Sequence, residues 1–434
     1  MVVFSNLGCS PEAGPDSVLE VSNGAGGEGG STGGIDPVPL NEGAGGGGGN
    51  SSVVVTTTGG AIGGVIAETG GGAGGGGEPT VVDAGSTATG GGGGEATGGT
   101  GGGTASTGGG AGGGGGNSST DEWLRTQGNR ILLPSGARWH GRGANLHDTR
   151  SCDACTFSVP NVGEVNRRMD MLVDQWNANF IRLDLESYSG GTGRVQWESF
   201  TSNPAYLADI KAIVAHALTK PGVYVMLSLW IDPTFTSLGW PTASTTAAWR
   251  VLAAAFKDEP RVLFGLVNEP QSNFNGAQDA QVWNAMNTTV QAIRDVEGAG
   301  PKHLISVQGT RSWSRVLDYY ITHPITAGGG ANVVYETHIY DHASEFAALF
   351  ETPARTLPVI IGEFGPASGF MTEGDCTALM TRARTAEVPH LAWTFHQRCP
   401  PNLIEETASG CGVGMELRPT SWGTLFKNQL AVPW

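Results

Sequence analysis

The sequence has no long apolar run and few basic residues, and each absence excludes a class of partner. No stretch of 18 or more consecutive apolar residues occurs, so we predict no membrane-spanning helix. Lys and Arg number 24 against 40 Asp and Glu, which gives a net charge of −16. Without a basic stripe the chain offers little attraction to phosphate groups, so nucleic acid and anionic membrane surfaces are not expected partners.

Sequence motifs for nucleotides and zinc are also missing. Neither G-x-G-x-x-G nor G-x-x-x-x-G-K-[ST] follows the first predicted strand, so a nucleotide-binding site is not expected. The pair Cys152-x-x-Cys155 would need two more zinc ligands, and no second C-x-x-C supplies them. We therefore expect neither a metal nor a cofactor. Cysteines in predicted loops favour an oxidising compartment and one or two disulfides of open pairing; they are Cys152, Cys155, Cys399 and Cys411.

Residues 1–120 contain no Lys or Arg and show no sustained hydrophobic periodicity. Most of the excess among the 71 glycines lies there, and its ten acidic residues leave a net charge of −6 for the rest of the chain. Such a segment cannot bury enough apolar surface to offset its ordering entropy, so we predict a disordered tail or linker. Within it, Asn6-Leu7-Gly8-Cys9 resembles the lipidation site of a bacterial lipoprotein, which would anchor the protein at Cys9; an incidental cysteine is the alternative.

From residue 121 onward, short apolar segments alternate with segments of helical spacing. Continuous apolar strands joined by crossover helices are typical of a parallel sheet covered on both faces. Eight such units in about 300 residues predict an α/β fold, a closed (β/α)8 TIM barrel over residues 121–434; an open doubly wound sheet is the alternative. The predicted strands are 138–147, 179–184, 223–227, 262–267, 304–307, 333–337, 359–363 and 391–394, and the predicted helices are 162–176, 204–221, 249–256, 282–293, 313–320, 346–350, 373–386 and 422–430.

Two glutamates that follow buried strands carry most of the functional information. Glu269 lies in Asn268-Glu269-Pro270 after the fourth predicted strand, and Glu363 lies in Gly362-Glu363-Phe364-Gly365 at the end of the seventh. Side chains at the carboxyl edge of a parallel barrel form the active site in enzymes of this fold. Paired carboxylates suit cleavage of a glycosidic bond, because one can protonate the leaving oxygen while the other stays ionised to attack carbon or activate water.

Other side chains at the predicted strand ends fit the same chemistry. Arg182 is a candidate for holding one carboxylate ionised, Asn268 for binding a sugar hydroxyl, and Trp393 for stacking under a sugar ring. His147 is expected either to contact the sugar or to support a residue that does. The strand ends show no Ser-His-Asp order and carry no Lys. We therefore expect neither an activated serine nucleophile nor a lysine that forms a Schiff base.

These motifs together resemble glycoside hydrolase family 5 over about residues 121–434. The resemblance rests on N-E-P at strand four, His338-x-Tyr340 at strand six and G-E-F-G at strand seven. Arg182 at strand two and Trp393 at strand eight also match the family pattern. It implies a retaining barrel glycosidase in which Glu269 is the general acid/base and Glu363 the nucleophile. It also implies supporting roles, in which Arg182 and Tyr340 contact the nucleophile, His338 lines the site and Asn268 binds the 2-hydroxyl.

One position departs from the family pattern. The family usually has a histidine at the end of strand three, where this chain reads Leu227-Ser228-Leu229-Trp230. Either Trp230 takes over the histidine's part in substrate binding or the strand is shifted relative to the family. The substrate is therefore less well defined by the sequence than the reaction.

The combined expectation is a monomeric retaining endo-β-glycosidase, secreted or tethered to the cell surface, that hydrolyses a β-linked polysaccharide. Family frequency favours a β-1,4-glucan, as for a cellulase, ahead of β-1,4-mannan and of β-1,3-glucan or a glycolipid. A cell-surface transglycosylase and a noncatalytic sugar-binding barrel are the alternatives. For a double displacement the two carboxyl groups should lie about 5–5.5 Å apart.

Overall fold

The computed structural model describes residues 122–147, 161–185, 204–229, 239–270, 273–311, 313–397, 400–405 and 414–434. The predicted tail 1–120, with Cys9, lies outside these residues, and its boundary at residue 120 stays a prediction. The loop cysteines and Trp230 also lie outside them.

Eight of the described strands form a closed barrel in which every neighbouring pair is parallel. Each strand pairs with the next one along the chain, and the last closes onto the first. A short antiparallel hairpin precedes the barrel. The hairpin consists of β1 Arg125–Gln127 and β2 Arg130–Leu132, and the barrel of β3 Arg142–His147, β4 Phe180–Leu185, β5 Tyr224–Leu229, β6 Val262–Gly265, β7 Ile305–Gln308, β8 Val333–Ile339, β9 Val359–Phe364 and β10 His390–Ala392. The predicted (β/α)8 barrel is confirmed.

Helices connect the barrel strands and cover their outer face. Several begin at the capping residues that the sequence supplies: Thr242 and Thr372 each form a capping box with the residue three positions later. Among the described helices, none is both long and apolar enough to cross a membrane. The helices are α1 Val162–Asp170, which continues as a π-helical turn Met171–Gln175, then α2 Pro204–Leu218, α3 Ala243–Phe256, α4 Asp279–Glu297, α5 Asp318–Thr322, α6 Glu373–Thr385 and α7 Ser421–Leu430.

Strand residues alternate between two cores, as the period of a strand requires. In β4, Ile181 and Leu183 pack in the outer core between strands and helices, whereas Phe180 points into the barrel. Trp139 meets Phe180 and Tyr224 edge to face at 4.8 and 5.3 Å between ring centroids, and this apolar floor fills the amino-terminal end of the barrel. Polar side chains on the inward face are thereby confined to the carboxyl end.

The structure corrects three of the predicted elements. The predicted helix 313–320 is wrong in its first half, because Trp313 and Ser314 have φ of 60° and 64°, left-handed values that no α-helix accommodates; α5 starts only at Asp318. The strand predicted to begin at residue 138 begins at Arg142. In place of one helix at 346–350 the chain has a π-helical turn, Ala347–Glu351, and a 3-10 turn, Pro353–Arg355.

Candidate active site

The two glutamates singled out by the sequence face each other at the carboxyl end of the barrel. Glu363 is the penultimate residue of β9, and Glu269 follows β6 by four residues. Their nearest carboxylate oxygens lie within 4.8 Å of one another. Glu363 is buried at 4% exposure, whereas the Glu269 side chain is 21% exposed. The pair therefore consists of one enclosed carboxylate and one that reaches solvent.

A β-bulge turns Glu363 into the barrel. On β9, Ile360 points into the barrel and Ile361 into the outer core, so strict alternation would place Glu363 outward. The pairing with β8 shifts at this point: Thr337 faces Ile361, but His338 faces Glu363, and Gly362 is left without a partner. The extra residue resets the alternation, as bulges beside active sites do.

Arg182 on β4 is a fully buried cation that joins the residues of the site. Its Nη1 donates to Glu363 Oε1 at 2.7 Å and to Asn145 Oδ1 at 2.8 Å, and its Nη2 donates to Asn268 Oδ1 at 2.6 Å. Burial lowers the pKa of Arg182, but the carboxylates around it, Asp184 first among them, raise it further, so the guanidinium stays charged. Arg182 thus fixes the positions of Asn268 and Glu363 at once.

His338 on β8 lies between the two glutamates. Its Nδ1 is 2.9 Å from Glu269 Oε1 and 3.4 Å from Glu363 Oε1, and its Nε2 is 3.0 Å from Glu336 Oε1. Burial lowers the pKa of His338, but the three carboxylates, Glu363 most strongly, raise it to about 10. The ring is therefore an imidazolium at neutral pH, and both of its N–H groups donate to carboxylates.

Tyr340 completes the surroundings of Glu363. Its hydroxyl donates to Glu363 Oε2 at 3.0 Å. Burial and the nearby charge of Glu363 raise the pKa of Tyr340 well above its usual value, so it stays a donor. Burial raises the pKa of Glu363, and Glu269 adds to this rise, while His338, Arg182 and Tyr340 act against it.

Backbone geometry positions Glu269 on the opposite side. Its φ of 50° is left-handed, a conformation that costs an L residue about 1–3 kcal/mol and persists where the surroundings hold it. The preceding Asn268 is held by Arg182, and the N–H of Glu269 donates to Gln308 Oε1 at 3.4 Å. Local strain of this kind is commonly found at functional sites.

Trp393 and His147 adjoin the site where β10 meets β3. Their rings meet edge to face at 5.3 Å between centroids, and both residues are buried. The N–H of Trp393 donates to the carbonyl of Phe364, which follows Glu363. The structure thus brings together all the predicted site residues that it describes; Trp230 remains a prediction.

Two buried polar residues of the site were not predicted from the sequence. Asn145 lies near the end of β3, and its Oδ1 accepts from Arg182. Glu336 lies inside β8, where an acid interrupts an apolar strand two residues before His338. The strand period of two places Glu336 and His338 on one face, which is the signal that could have identified it.

Comparisons with known proteins agree with the barrel fold. A family model, cellulase (glycosyl hydrolase family 5), matches residues 140–398, more than half of the chain. The chain is 22% identical over 242 residues to endoglucanase CelA of Streptomyces lividans, covering 52% of this chain and 48% of that protein. It is 26% identical over 186 residues to an endoglucanase of Halalkalibacter akibai, covering 39% and 20%. The chain spans about half or less of the length of these two relatives.

Solved structures share the barrel at low sequence identity. The catalytic domain of Thermobifida fusca endoglucanase Cel5A matches with a TM-score of 0.56 and 18% identity, over 71% of this chain and 97% of that one. The catalytic domain of a mannanase from Streptomyces sp. SirexAA-E matches with a TM-score of 0.51 and 19% identity, over 72% and 91%. Similarity at this level of identity shows a shared fold. The family model, in contrast, matches the sequence over most of the barrel and therefore shows the family. The chain belongs to glycoside hydrolase family 5.

Proposed function

We propose that the protein hydrolyses β-glycosidic bonds of a polysaccharide by double displacement, with Glu363 as nucleophile and Glu269 as general acid/base. The separation of the two carboxylates carries the proposal. Retaining glycosidases hold them about 5–5.5 Å apart, and inverting enzymes about 6.5–9.5 Å apart to admit a water. An oxygen-to-oxygen approach within 4.8 Å supports the retaining arrangement.

The different surroundings of the two glutamates support their different roles. Two hydrogen-bond donors, Arg182 and Tyr340, converge on Glu363, and the His338 ring lies 3.4 Å from it as an ion-pair partner. They orient its carboxylate and favour the ionised form that attacks the anomeric carbon. Glu269 protonates the departing oxygen in that step. Because Glu269 reaches solvent, water can then approach it, lose a proton to it and release the sugar with retained configuration.

Asn268 is suited to hold the sugar beside the reacting carbon. Its Oδ1 accepts from Arg182, which fixes the amide and leaves its Nδ2 as the group able to face a ligand. We propose that this N–H donates to the 2-hydroxyl of the sugar bound next to Glu363. Trp393 is proposed to form the apolar surface under the same sugar, and His147 to support it.

The proposed substrate is a β-1,4-glucan, with β-1,4-mannan as the second candidate. The sequence relatives named endoglucanases favour the glucan, and a mannanase among the structural neighbours keeps mannan open. We also propose that the protein acts outside the cell or on its surface, with a lipid at Cys9 if it is anchored. A mass spectrum of the Cys9 peptide without a lipid would remove the anchor from this proposal.

The stereochemistry of the product tests the reaction directly. We expect the full-length protein to release β-configured reducing ends from carboxymethyl cellulose or cello-oligosaccharides, visible by proton NMR before mutarotation. Parallel assays on mannan and mixed-linkage glucan test the substrate. Transfer products that dominate on addition of an acceptor sugar would favour a transglycosylase, and α-configured first products would contradict the double displacement.

The pH dependence should reflect the burial of Glu363. Burial raises the pKa of Glu363 above its ordinary value of 4.5, and only the ionised form attacks carbon. Activity should therefore fall as the pH drops through a value above 4.5. The acid limb of kcat/KM on an aryl cellobioside with a good leaving group reports this ionisation in the free enzyme. An acid limb below the ordinary pKa of a glutamate would contradict the assignment.

A further inference from the structure

Glu336 is a charged side chain inside the barrel, one layer below the candidate pair. It lies on β8 with no exposed surface, two residues before His338 and on the same inward face. Its Oε2 accepts from Ser306 Oγ at 2.5 Å, and its Oε1 is 3.0 Å from His338 Nε2 and 3.3 Å from Arg182 Nε. Each carboxylate oxygen thus has a polar partner.

A carboxylate at this depth is costly unless cations neutralise it. Burial raises the pKa of Glu336, but Arg182, His338 and Ser306 lower it below its ordinary value. Glu336 is therefore a permanent anion at neutral pH. Because a buried ion pair is seldom favourable for stability alone, Glu336 is a candidate for a role in the site.

The neighbouring strand is shaped to admit this side chain. Gly362 on β9 is the extra residue of the bulge, and a Cβ atom there would lie 2.6 Å from Glu336 Cδ, 2.7 Å from its Cγ and closer still to Oε1. Any residue other than glycine would displace the carboxylate. The bulge therefore has two effects: it turns Glu363 inward and leaves space for Glu336.

We propose that Glu336 is a positioning residue that fixes the two cations acting on the catalytic carboxylates. By accepting from His338 Nε2–H, it keeps a second proton on Nδ1, which faces Glu269 and Glu363. By pairing with Arg182 Nε, it orients the guanidinium whose other nitrogens hold Glu363 and Asn268. The single buried anion thus fixes the orientation of both His338 and Arg182. This inference rests on the proposed function of the glutamate pair.

The charges around His338 decide how its ionisation responds to a loss of Glu336. Three carboxylates face the ring: Glu269 from the loop after β6, Glu336 from β8 and Glu363 from β9. The neutral amide of Gln308 on β7 also contacts the ring. Arg182, which pairs with Glu336, is the nearby cation. Removing the charge of Glu336 takes away one of three anions that favour the imidazolium. His338 should then lose its proton at lower pH.

The first test is Glu336→Gln, which keeps the shape and one acceptor oxygen but removes the charge. With a dinitrophenyl cellobioside, whose leaving group needs no proton, the alkaline limb of kcat reports His338 rather than Glu269. We expect kcat to fall about 10–100-fold, the range seen for residues that orient the ligands of a catalytic metal, with KM changed less than about threefold. We also expect the alkaline limb to move to lower pH.

A matched control is available at the other end of the barrel. Glu297 is also a buried glutamate paired with a histidine and an arginine, His303 and Arg294, at 2.7 and 2.6 Å. Glu297→Gln should lower thermal stability yet leave kcat and the pH profile unchanged. If Glu336→Gln behaves like Glu297→Gln in an active enzyme, the proposed positioning role is wrong, although the proposed function stands.

A measurement on the unchanged protein covers the case in which Glu336→Gln does not fold. Nitrogen NMR of histidine-labelled protein, with His338 identified by the loss of its signals in His338→Gln, should show both ring nitrogens protonated at pH 8. A neutral His338 ring would overturn the inference whatever the activity. Absence of activity on every glycan, with a doubly protonated His338, would count against the proposed function alone.

Discussion

Glu363→Gln is expected to lower kcat on cello-oligosaccharides by at least about 10⁴-fold, because removal of a nucleophile leaves only binding and the remaining groups of the site. The amide keeps the size of the side chain, its oxygen can still accept from Arg182 and its NH2 group can donate to the Tyr340 hydroxyl, but it cannot form the glycosyl ester. Steady-state assays and equilibrium binding of cellotetraose separate the two effects: turnover should disappear while binding is retained. Unchanged activity would refute the assignment of Glu363.

Thermal unfolding is the control for this variant, and its sign follows from the pKa of Glu363. Burial raises that pKa in the folded state, so the protonated carboxyl group is the form that favours folding. Its contribution to the free energy of unfolding is lost as the pH rises through the raised pKa. At pH 7 the amide removes the buried charge, and Glu363→Gln should melt at or above the wild-type Tm. The difference should shrink toward pH 4, where the wild-type carboxyl is protonated.

Glu269→Ala is expected to separate substrates by their leaving groups. With a cello-oligosaccharide the departing oxygen needs a proton, and the loss should be about 10²–10⁴-fold, the usual contribution of a general acid. With a dinitrophenyl cellobioside the first step needs no acid, so the covalent intermediate should still form rapidly. It should then accumulate, because no base remains to activate water.

Added azide distinguishes the roles of the two glutamates. An anion small enough to occupy the space left in Glu269→Ala needs no base, so it should restore turnover of the dinitrophenyl substrate and give the β-glycosyl azide. The same experiment on Glu363→Ala should give the α-azide, since azide then attacks in a single displacement. If the two anomers were exchanged between the variants, the roles of Glu269 and Glu363 would have to be reversed.

The fold and the glutamate pair were predictable because both depend on local patterns. Apolar strands such as β4 and β8, separated by capped helices of regular spacing, define eight repeating units without any knowledge of their pairing. A polar residue that follows such a strand must lie at its carboxyl end. Glu269 could therefore be placed on the fourth barrel strand and Glu363 on the seventh before any contact was known.

The remaining features depend on contacts between strands distant in the sequence. The role of Glu336 becomes visible only when β4, β7 and β8 bring Arg182, Ser306 and His338 around it. The left-handed backbone at Trp313 depends on its loop, where its N–H donates to the carbonyl of Pro270 at 3.1 Å. No periodicity in the local sequence encodes either arrangement.

The bulge at Gly362 also limits how this segment can change in length. Deletion of that single residue would restore regular alternation along β9 and bring Glu363 to the position that Gly362 now holds, opposite His338 and still facing inward. A Cβ atom at that position would lie 2.6 Å from Glu336 Cδ, so the side chains of Glu363 and Glu336 could not both keep their present places. Elsewhere a surface loop can gain or lose residues at little cost, but here a one-codon deletion would displace Glu363 or Glu336 while leaving every glutamate of the site in the sequence.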